Sequence, residues 1–325
     1  MRLLFQKSIR ESRWLFLGCA AAIFAFCWLR VWIVSRLSTE RFRAILEMLP
    51  GDWKRFLTID FEWLITYPGR ISLAYQELIV IMCVAVWSIA RGSDVVSGEI
   101  NRGTMEMLLA QPFSRGKILA TQSFVALSGC ALLSLSAWGG TCAGVLTTAV
   151  KEPVATKLQL PFYVPGVGTE VTLPLPTTKT VRIPMRQRVD MRLFFPATVN
   201  LFCLGVMITG LSTLMSSWDR YRWRTIGLVS GILIAQLILK IAGMALEELH
   251  PLTYLSLLSA YEPESHVRLA DVSPELMSSM WLAGEDGQFK GFGPLAHDLL
   301  LFGVGSISFI AASAIFSRRD LPAPL

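Results

Sequence analysis

Hydrophobic residues in this chain fall into six long runs, each bounded by polar or mixed segments. A helical run of about 20 apolar residues can cross a bilayer core of roughly 30 Å, because each residue adds about 1.5 Å. Lipid offers no partner to backbone polar groups, which favours helices over open strands. The runs are Trp14–Val34, Ile71–Ala90, Ile118–Val150, Leu193–Trp218, Thr225–Leu246 and Leu295–Phe316. The pattern predicts an all-α polytopic membrane protein, with one six-helix domain over residues 14–325.

The segments outside these runs have their own patterns. Residues 1–13 place apolar and basic positions on different sides of a helix, which predicts an interfacial amphipathic helix on the membrane surface. Long loops are predicted over residues 35–70, 151–192 and 247–294. The second alternates β-branched residues with proline and glycine, which predicts an extended β-ribbon. The third contains LTYLSLLSAY, an apolar stretch too short to span a bilayer.

Composition and charge agree with a membrane protein and suggest its orientation. Hydrophobic residues make up 53% of the chain and charged residues only 17%, with a mean hydropathy of +0.51. An even number of spans puts both termini on one side. Basic residues are dense near both termini and between spans four and five, so the positive-inside rule places both termini on the cytoplasmic side. The loop 151–192 is also basic, but long loops follow that rule weakly.

Recognisable catalytic patterns are absent from the sequence. It has no GxxxxGK[ST] phosphate loop, no HExxH pair and no GxSxG elbow. The six cysteines lie inside the predicted spans without metal-ligand spacing, which is typical of small buried side chains. The histidines His250, His266 and His297 are far apart along the chain. We therefore predict no catalytic residue, no metal site and no cofactor on this chain.

Ionisable residues inside the predicted spans include Arg30, Glu77 and Lys240, and burying a charge there is costly. Arg30 and Glu77 fall at similar depths, near the ends of their spans away from the termini, so we predict that they form an ion pair. For Arg30 and Lys240 the alternative is that the long side chain extends to the interface. The GxxxG spacings at 140–144 and 227–231 suit either packing within the chain or contact with a second chain.

The segment Ser97–Lys117, called here the connector, is unusually detailed for a link between two spans. Gly103 can form a tight turn, Thr104 is a plausible helix N-cap and Glu106 suits the first turn of a helix. Spacings of three and four residues put one group of apolar side chains on a shared face of this helix. That group is Met105, Leu108 and Leu109.

The connector helix should be short, because Pro112 disfavours helix at the preceding residue. Ser114 is then a plausible N-cap for the third span. Such a helix, about 10 Å long, could lie flat on lipid headgroups or act as a knob for a soluble partner.

The connector resembles a known family. Its residues Glu99-x-x-x-Gly103-Thr104-x-Glu106-x-Leu108-Leu109-x-x-Pro112-x-x-Arg115 are similar to the signature of type-2 ABC exporter permeases. The resemblance implies two permease chains, as a homo- or heterodimer, bound to two separate ATPase subunits that carry ATP and magnesium. The short helix would then be a coupling helix seated in a groove of the ATPase.

The resemblance also implies residue roles. Gly103 and Thr104 would shape the start of the coupling helix, and Leu108 and Leu109 would fill the ATPase groove. Glu106 and Arg115 would make polar contacts, Pro112 would set the exit angle, and Glu99 belongs to the same motif.

Two alternatives from other classes stay open. One is a membrane-embedded enzyme acting at the outer face, and the other is a non-transporting scaffold that an ATPase drives. Lipid, peptide, drug, ion and polysaccharide are all compatible with the sequence as transported substrates.

Overall fold

The structure, a computed structural model, describes residues 2–37, 39, 42–44, 48, 61–110, 114–163, 170–283 and 289–319. Pro112 and half of the loop 35–70 lie outside these ranges. Within them six helical segments are long and apolar enough to cross a membrane, which confirms the predicted fold class. They are Leu4–Arg36, Tyr67–Asn101, Arg115–Thr147, Met191–Trp218, Arg222–Ala245 and Pro294–Arg318. The side that carries both termini and the connector is called here the terminus side, and the opposite side the distal side.

The first helix, α1 (Arg2–Arg36), is continuous. The separate helix predicted over residues 1–13 is therefore joined to the first span, because no proline or glycine occurs before Gly18 to interrupt the backbone hydrogen bonds. Its first turns pack on other parts of the chain: Leu4 lies in a buried cluster with Leu108 and Ile118.

The second span is irregular. It begins as a short helix at Tyr67–Ser72, passes through a 3₁₀ turn at Leu73–Tyr75, and restarts as α2 (Leu78–Ser93). Glu77 has an extended backbone at the restart. The span then continues into a π-helical turn at Asp94–Gly98 and one α-helical turn at Glu99–Asn101.

The connector contains α3 (Met105–Leu109) and leads into α4 (Arg115–Thr147). The fourth and fifth spans are α5 (Phe195–Trp218) and α6 (Arg222–Ala245). Beyond them lie α7 (Pro263–Val272) on the distal side and the last span, α8 (Pro294–Arg318).

The glycines of α4 serve packing within the chain. An added Cβ at Gly140 would lie 2.4 Å from the Phe24 carbonyl oxygen of α1, and one at Gly144 would lie 2.6 Å from Val31 Cβ. Small residues let the two helix backbones approach closely. Gly227 and Gly231 of α6, by contrast, have no neighbour within 4 Å among the residues that the structure describes.

The centre of the bundle is α5. In the most apolar 18-residue stretch of this span, 72% of the residues are buried, against 11% for the span of α6 and 28% for those of α1 and α8. Gly210 and Gly305 bring α5 and α8 together, since an added Cβ at Gly210 would lie 2.4 Å from the Gly305 carbonyl oxygen. Helix α6 therefore lies at the edge of this chain.

The distal side carries a long hairpin, as predicted for the loop 151–192. Strands β1 (Ala149–Tyr163) and β2 (Glu170–Pro184) pair antiparallel from Ala149↔Pro184 to Tyr163↔Glu170. A second, shorter hairpin is formed by β3 (Trp281–Ala283) and β4 (Phe289–Phe292). Two further short helices are described, at Phe61–Leu64 and Pro251–Leu255. The described 3₁₀ turns outside the second span are Met185–Gln187, Met191–Phe194, Glu247–Leu249, Leu257–Ala260 and Pro274–Ser278.

Candidate functional site

The connector leaves the second span through the π turn at Asp94–Gly98, which helix α5 holds in place. A π turn breaks the regular helical hydrogen-bond pattern, and such turns are frequent at functional sites. Here the hydroxyl of Ser216 accepts hydrogen bonds from the backbone N–H groups of Val96 (3.2 Å) and Ser97 (2.9 Å). It also donates to the Ser93 carbonyl oxygen at 3.0 Å. One buried serine of α5 therefore anchors the start of the connector.

The turn before α3 is built as a glycine C-cap. Gly103 has a φ of +70°, in the left-handed region that glycine adopts without steric cost. The Thr104 N–H donates to the Glu99 carbonyl oxygen at 3.1 Å, and the Gly103 N–H to that of Ile100 at 3.0 Å. These two bonds are those of a Schellman motif. The predicted turn at Gly103 is confirmed.

Thr104 occupies the N-cap position of α3, but its side chain makes no capping hydrogen bond there. Its hydroxyl instead donates to the Glu99 carboxylate. The prediction of a side-chain cap is wrong because a charged acceptor lies within reach, and hydrogen bonds to charged groups are the stronger kind.

Glu99 is the centre of this part of the connector. Its carboxylate is buried, with 2% of the side chain exposed, and accepts hydrogen bonds from Lys7 Nζ at 3.1 Å and Arg102 Nη2 at 3.0 Å. With the Thr104 hydroxyl it has three donors, so its desolvation is offset by charge-assisted bonds. Glu99 therefore joins the connector turn to the first turns of α1.

Asp94, also buried, is the second acidic residue of this network. Its oxygens lie 2.6 Å from Arg102 Nη1, 3.3 Å from Arg222 Nη1 and 3.4 Å from Arg91 Nη1. Burial opposes the charge of the Arg102 guanidinium, but the hydrogen bonds that it donates to Asp94 and Glu99 raise its pKa above the usual value. Since Arg222 begins α6, Asp94 links the π turn to the fifth span.

Helix α3 turns part of its apolar surface inward. Met105 is 3% exposed and packs in a cluster with Val96 and Phe316, and Leu108 is 8% exposed against Leu4 and Ile118. The predicted position of Leu108 in a partner's groove does not fit this burial, because the continued α1 helix covers that face. The side chain of Leu109 lies outside the described part of the structure.

The outer surface of α3 has a different composition from the predicted face. Met107 is 71% exposed, and Glu106 and Ala110 are exposed beside it. A methionine is flexible and polarizable, which suits contact with a partner surface. Among the described side chains of α3, the face available to another protein is therefore formed by Glu106, Met107 and Ala110, called here the α3 tip.

Arg115 lies at the end of the connector where α4 begins. Its Nη1 donates to the carbonyl oxygens of Arg319 at 2.6 Å and Phe316 at 3.4 Å, at the end of α8. Basic side chains commonly satisfy the last carbonyl groups of a helix in this way. Ser114 takes the N-cap position of α4 with an extended backbone but makes no side-chain cap.

Sequence reasoning missed four basic residues and one acidic residue of this network. Sequence spacing relates only two of these five residues: Arg91 and Asp94 lie three residues apart on the second span, whereas the others come from α1, the connector and α6. The five residues are Lys7, Arg91, Asp94, Arg102 and Arg222.

The charged residues inside the spans also find partners. Arg30 Nη1 lies 3.4 Å from Glu77 Oε1, so the structure brings together the two residues predicted to pair. Lys240 extends to the distal side and donates to the carbonyl oxygens of Leu258 and Tyr261 at 3.0 and 3.1 Å.

A second polar cluster, around α7, is buried on the distal side. Gln76 Nε2 donates to Glu264 Oε1 at 3.0 Å, and the other oxygen of Glu264 has no described protein partner. Burial raises the pKa of Glu264 to about 7. His266 lies 3.4 Å from the Asp298 carboxylate; burial opposes its charge, but the bond to Asp298 raises its pKa. The one sequence signal for this cluster is Asp298, an acidic residue inside the predicted span Leu295–Phe316.

Comparison with known proteins gives one family. The family model described as ABC-2 family transporter protein matches residues 5–321, which include all six spans and the whole connector. A search of the curated proteins finds no match.

Proposed function

We propose that a separate ATPase drives this protein through the connector. The premise is that the chain belongs to the ABC-2 transporter family and is an ABC permease. In this proposal two permease chains, as a homo- or heterodimer, bind two ATPase subunits in a plasma (inner) membrane. Both termini and the connector face the cytoplasm, where the ATPase holds ATP and magnesium. Export is the direction implied by the likeness of the connector to type-2 exporter permeases.

The observation that supports this most directly is the form of the α3 tip. It projects Glu106 and Met107 outward from a helix whose other face is buried in its own chain. A connection needed only to join two spans would not require an exposed apolar side chain on a tightly anchored support. Exposed apolar groups with polar neighbours on a rigid base are typical of interaction sites.

The contacts of the connector provide routes for movement into the membrane. Glu99 ties it to α1 through Lys7, and Asp94 ties it to α6 through Arg222. Arg115 holds the end of α8, and the π turn continues directly into α2. A displacement of α3 by an ATPase would therefore act on α1, α6, α8 and the second span together, because separating the partners of a buried ion pair is costly. It would also act on α4, into which the connector leads.

The roles carried over from the family are modified accordingly. Gly103, Thr104 and Glu99 shape and hold the turn, and Arg115 positions the exit of the connector. Glu106, with Met107, is proposed to contact the ATPase, while Leu108 supports the helix from inside. Leu109 and Pro112 keep their implied roles in groove filling and exit angle as part of the proposal.

Co-purification with the ATPase tests this function. The tagged protein, isolated from its native host, is expected to bring a stoichiometric ATPase subunit with it. Met107→Asp should keep membrane insertion but weaken ATPase binding by about thirtyfold or more, since central interface residues contribute at least about 2 kcal/mol. Met280→Asp, at a half-exposed methionine on the distal side, is the matched control.

Two results would contradict the proposal. One is purification of the intact protein without any ATPase, which would favour the enzyme alternative. The other is equal ATPase binding by the Met107→Asp and Met280→Asp variants.

A further inference from the structure

A cavity of about 540 Å³ opens on the distal side, away from the connector. Its walls are the last turn of α1, the last turn of α4 and the base of the β1–β2 hairpin. This volume is in the range of small-molecule sites, which is roughly 300–1,000 Å³. Three parts of the chain thus meet around a space large enough for a polar headgroup.

Three cations line this cavity: Arg36, Lys151 and Arg182. Lys151 and Arg182 are direct partners in the β1–β2 register, so their side chains share one face of the hairpin. Like charges directly opposite each other on a hairpin are destabilising. Among the described lining residues there is no carboxylate, and no ion pair joins any of the three cations to another described residue. An anion would relieve their repulsion.

The cavity lies where two spans end, since α1 ends at Arg36 and α4 at Thr147. This is the level at which hydrocarbon gives way to lipid headgroups. Trp32 lines the cavity, with the Arg36 guanidinium 5.1 Å from the centre of its ring. Tryptophan is enriched at this level of membrane proteins.

An apolar flank continues from the cavity toward the bilayer centre. Trp28, Ile33 and Leu146 are 39%, 38% and 57% exposed. Trp28 Nε1 donates to Thr147 Oγ1 at 3.0 Å, which closes the gap between α1 and α4 at this point. A molecule with a charged head in the cavity could therefore lay an acyl chain along this surface.

We propose that this cavity binds the phosphate group of an anionic phospholipid from the leaflet on the distal side. Guanidinium and ammonium groups bind phosphate oxygens through charge-assisted hydrogen bonds. The acyl chains of the same molecule lie against the flank of α1 and α4. This binding requires neither ATP nor a partner ATPase, so it is independent of the proposed transport function.

The test compares lipid binding by the purified full chain and two variants. In Arg36→Gln/Lys151→Gln/Arg182→Gln the cavity loses its three charges. The control Arg43→Gln/Arg186→Gln/Arg192→Gln removes the same charge from exposed residues that do not line the cavity. Binding of fluorescent phosphatidylglycerol is measured in a neutral detergent. The cavity variant should bind about tenfold more weakly for each lost contact, and the control as tightly as the parent.

Two competitors identify the ligand class. Phosphatidylglycerol should bind more tightly than zwitterionic phosphatidylcholine, and inorganic phosphate should compete only at far higher concentration because it lacks acyl chains. Equal affinity for the two lipids, or equal losses in both triple variants, would overturn the proposal. Competition by phosphate as effective as that by lipid would overturn it in favour of a soluble anion. If the triple variant does not fold, Arg182→Gln alone provides the same comparison.

Discussion

At the scale of single residues, two buried glutamates have opposite electrostatic roles. Glu99 is surrounded by Lys7, Arg102 and the Thr104 hydroxyl, so its charged form has three donors. Glu264 accepts a hydrogen bond from the Gln76 amide, no basic side chain in the described part of the chain forms an ion pair with it, and burial raises its pKa to about 7. The first carboxylate therefore holds parts of the chain together through charge, whereas the second is stabilised by keeping its proton.

The stability of the distal cluster should accordingly depend on pH. A raised pKa means that the folded state holds a proton that the unfolded state releases, so the contribution of Glu264 is fully present below about pH 4.5 and is lost as the pH rises through about 7. His266, whose pKa is also raised, acts in the same direction. The contribution of Glu264 to the unfolding temperature of the purified protein should therefore fall between pH 5 and pH 8.

Glu264→Gln tests this residue directly. Glutamine has the shape of the protonated acid without its titration, so the variant should lose the part of the pH dependence due to Glu264, up to about 3 kcal/mol. Thermal unfolding followed by tryptophan fluorescence gives the comparison. Glu248→Gln, at an exposed position, should keep the full dependence. A parent and a Glu264→Gln variant with the same pH profile would contradict the prediction.

At the scale of elements, close helix packing depends on whether a neighbouring helix lies against each glycine. Gly140 and Gly144 lie against α1, whereas Gly227 and Gly231 of α6 face open space in this chain. Both pairs have the same GxxxG spacing, so the sequence treats them alike. The structure assigns the first pair to packing within the chain.

Alanine substitutions should separate these two pairs. Gly140→Ala places a methyl group against the Phe24 carbonyl oxygen, and the backbone of α1 must shift, at a cost of about 1–3 kcal/mol. Gly231→Ala meets no described atom and should be neutral or slightly stabilising, since alanine favours helix. Thermal unfolding of the two variants in the same detergent measures the difference. Equal unfolding temperatures would show that α1 and α4 do not pack as described.

At the scale of the whole molecule, the ion network makes the connector part of the bundle. Asp94 and Glu99 join the second span, α1, the connector turn and α6 through four basic side chains. Helices α1 and α6 are far in sequence from the second span and from the connector turn that follows it. The terminus side is therefore expected to move as one unit when α3 is displaced.

Asp94→Asn should loosen this unit. It leaves three buried or half-buried cations without their shared carboxylate, a change that costs about 3–5 kcal/mol for buried ion pairs. We expect faster hydrogen exchange in the connector and in the first turns of α1, with α5 and α8 unchanged. Glu106→Gln removes an exposed acidic residue of the same connector and should leave hydrogen exchange unchanged in the connector and in α1. Faster exchange confined to the turn at Asp94 would contradict a network that spans the four segments.

Several features of the fold could be predicted because they depend on neighbouring residues. Apolar run length indicated the six spans, alternation with proline and glycine indicated the β1–β2 hairpin, and Gly103 indicated the turn before α3. The ion pair of Arg30 with Glu77 could be predicted from equal depth, because a membrane orders helical positions along one axis.

The sequence by itself thus determined the membrane class, the spans and the position of the connector, since length, hydropathy and turn chemistry are local properties. Only the tertiary structure decided which face of α3 is free, which acids meet Lys7 and Arg222, and which glycines pack against a neighbour. Periodicity shows that Leu108 and Met107 lie on different faces but not which face another helix covers. The uninterrupted α1 covers Leu108, and its first turns therefore decide that the α3 tip is formed by Glu106, Met107 and Ala110.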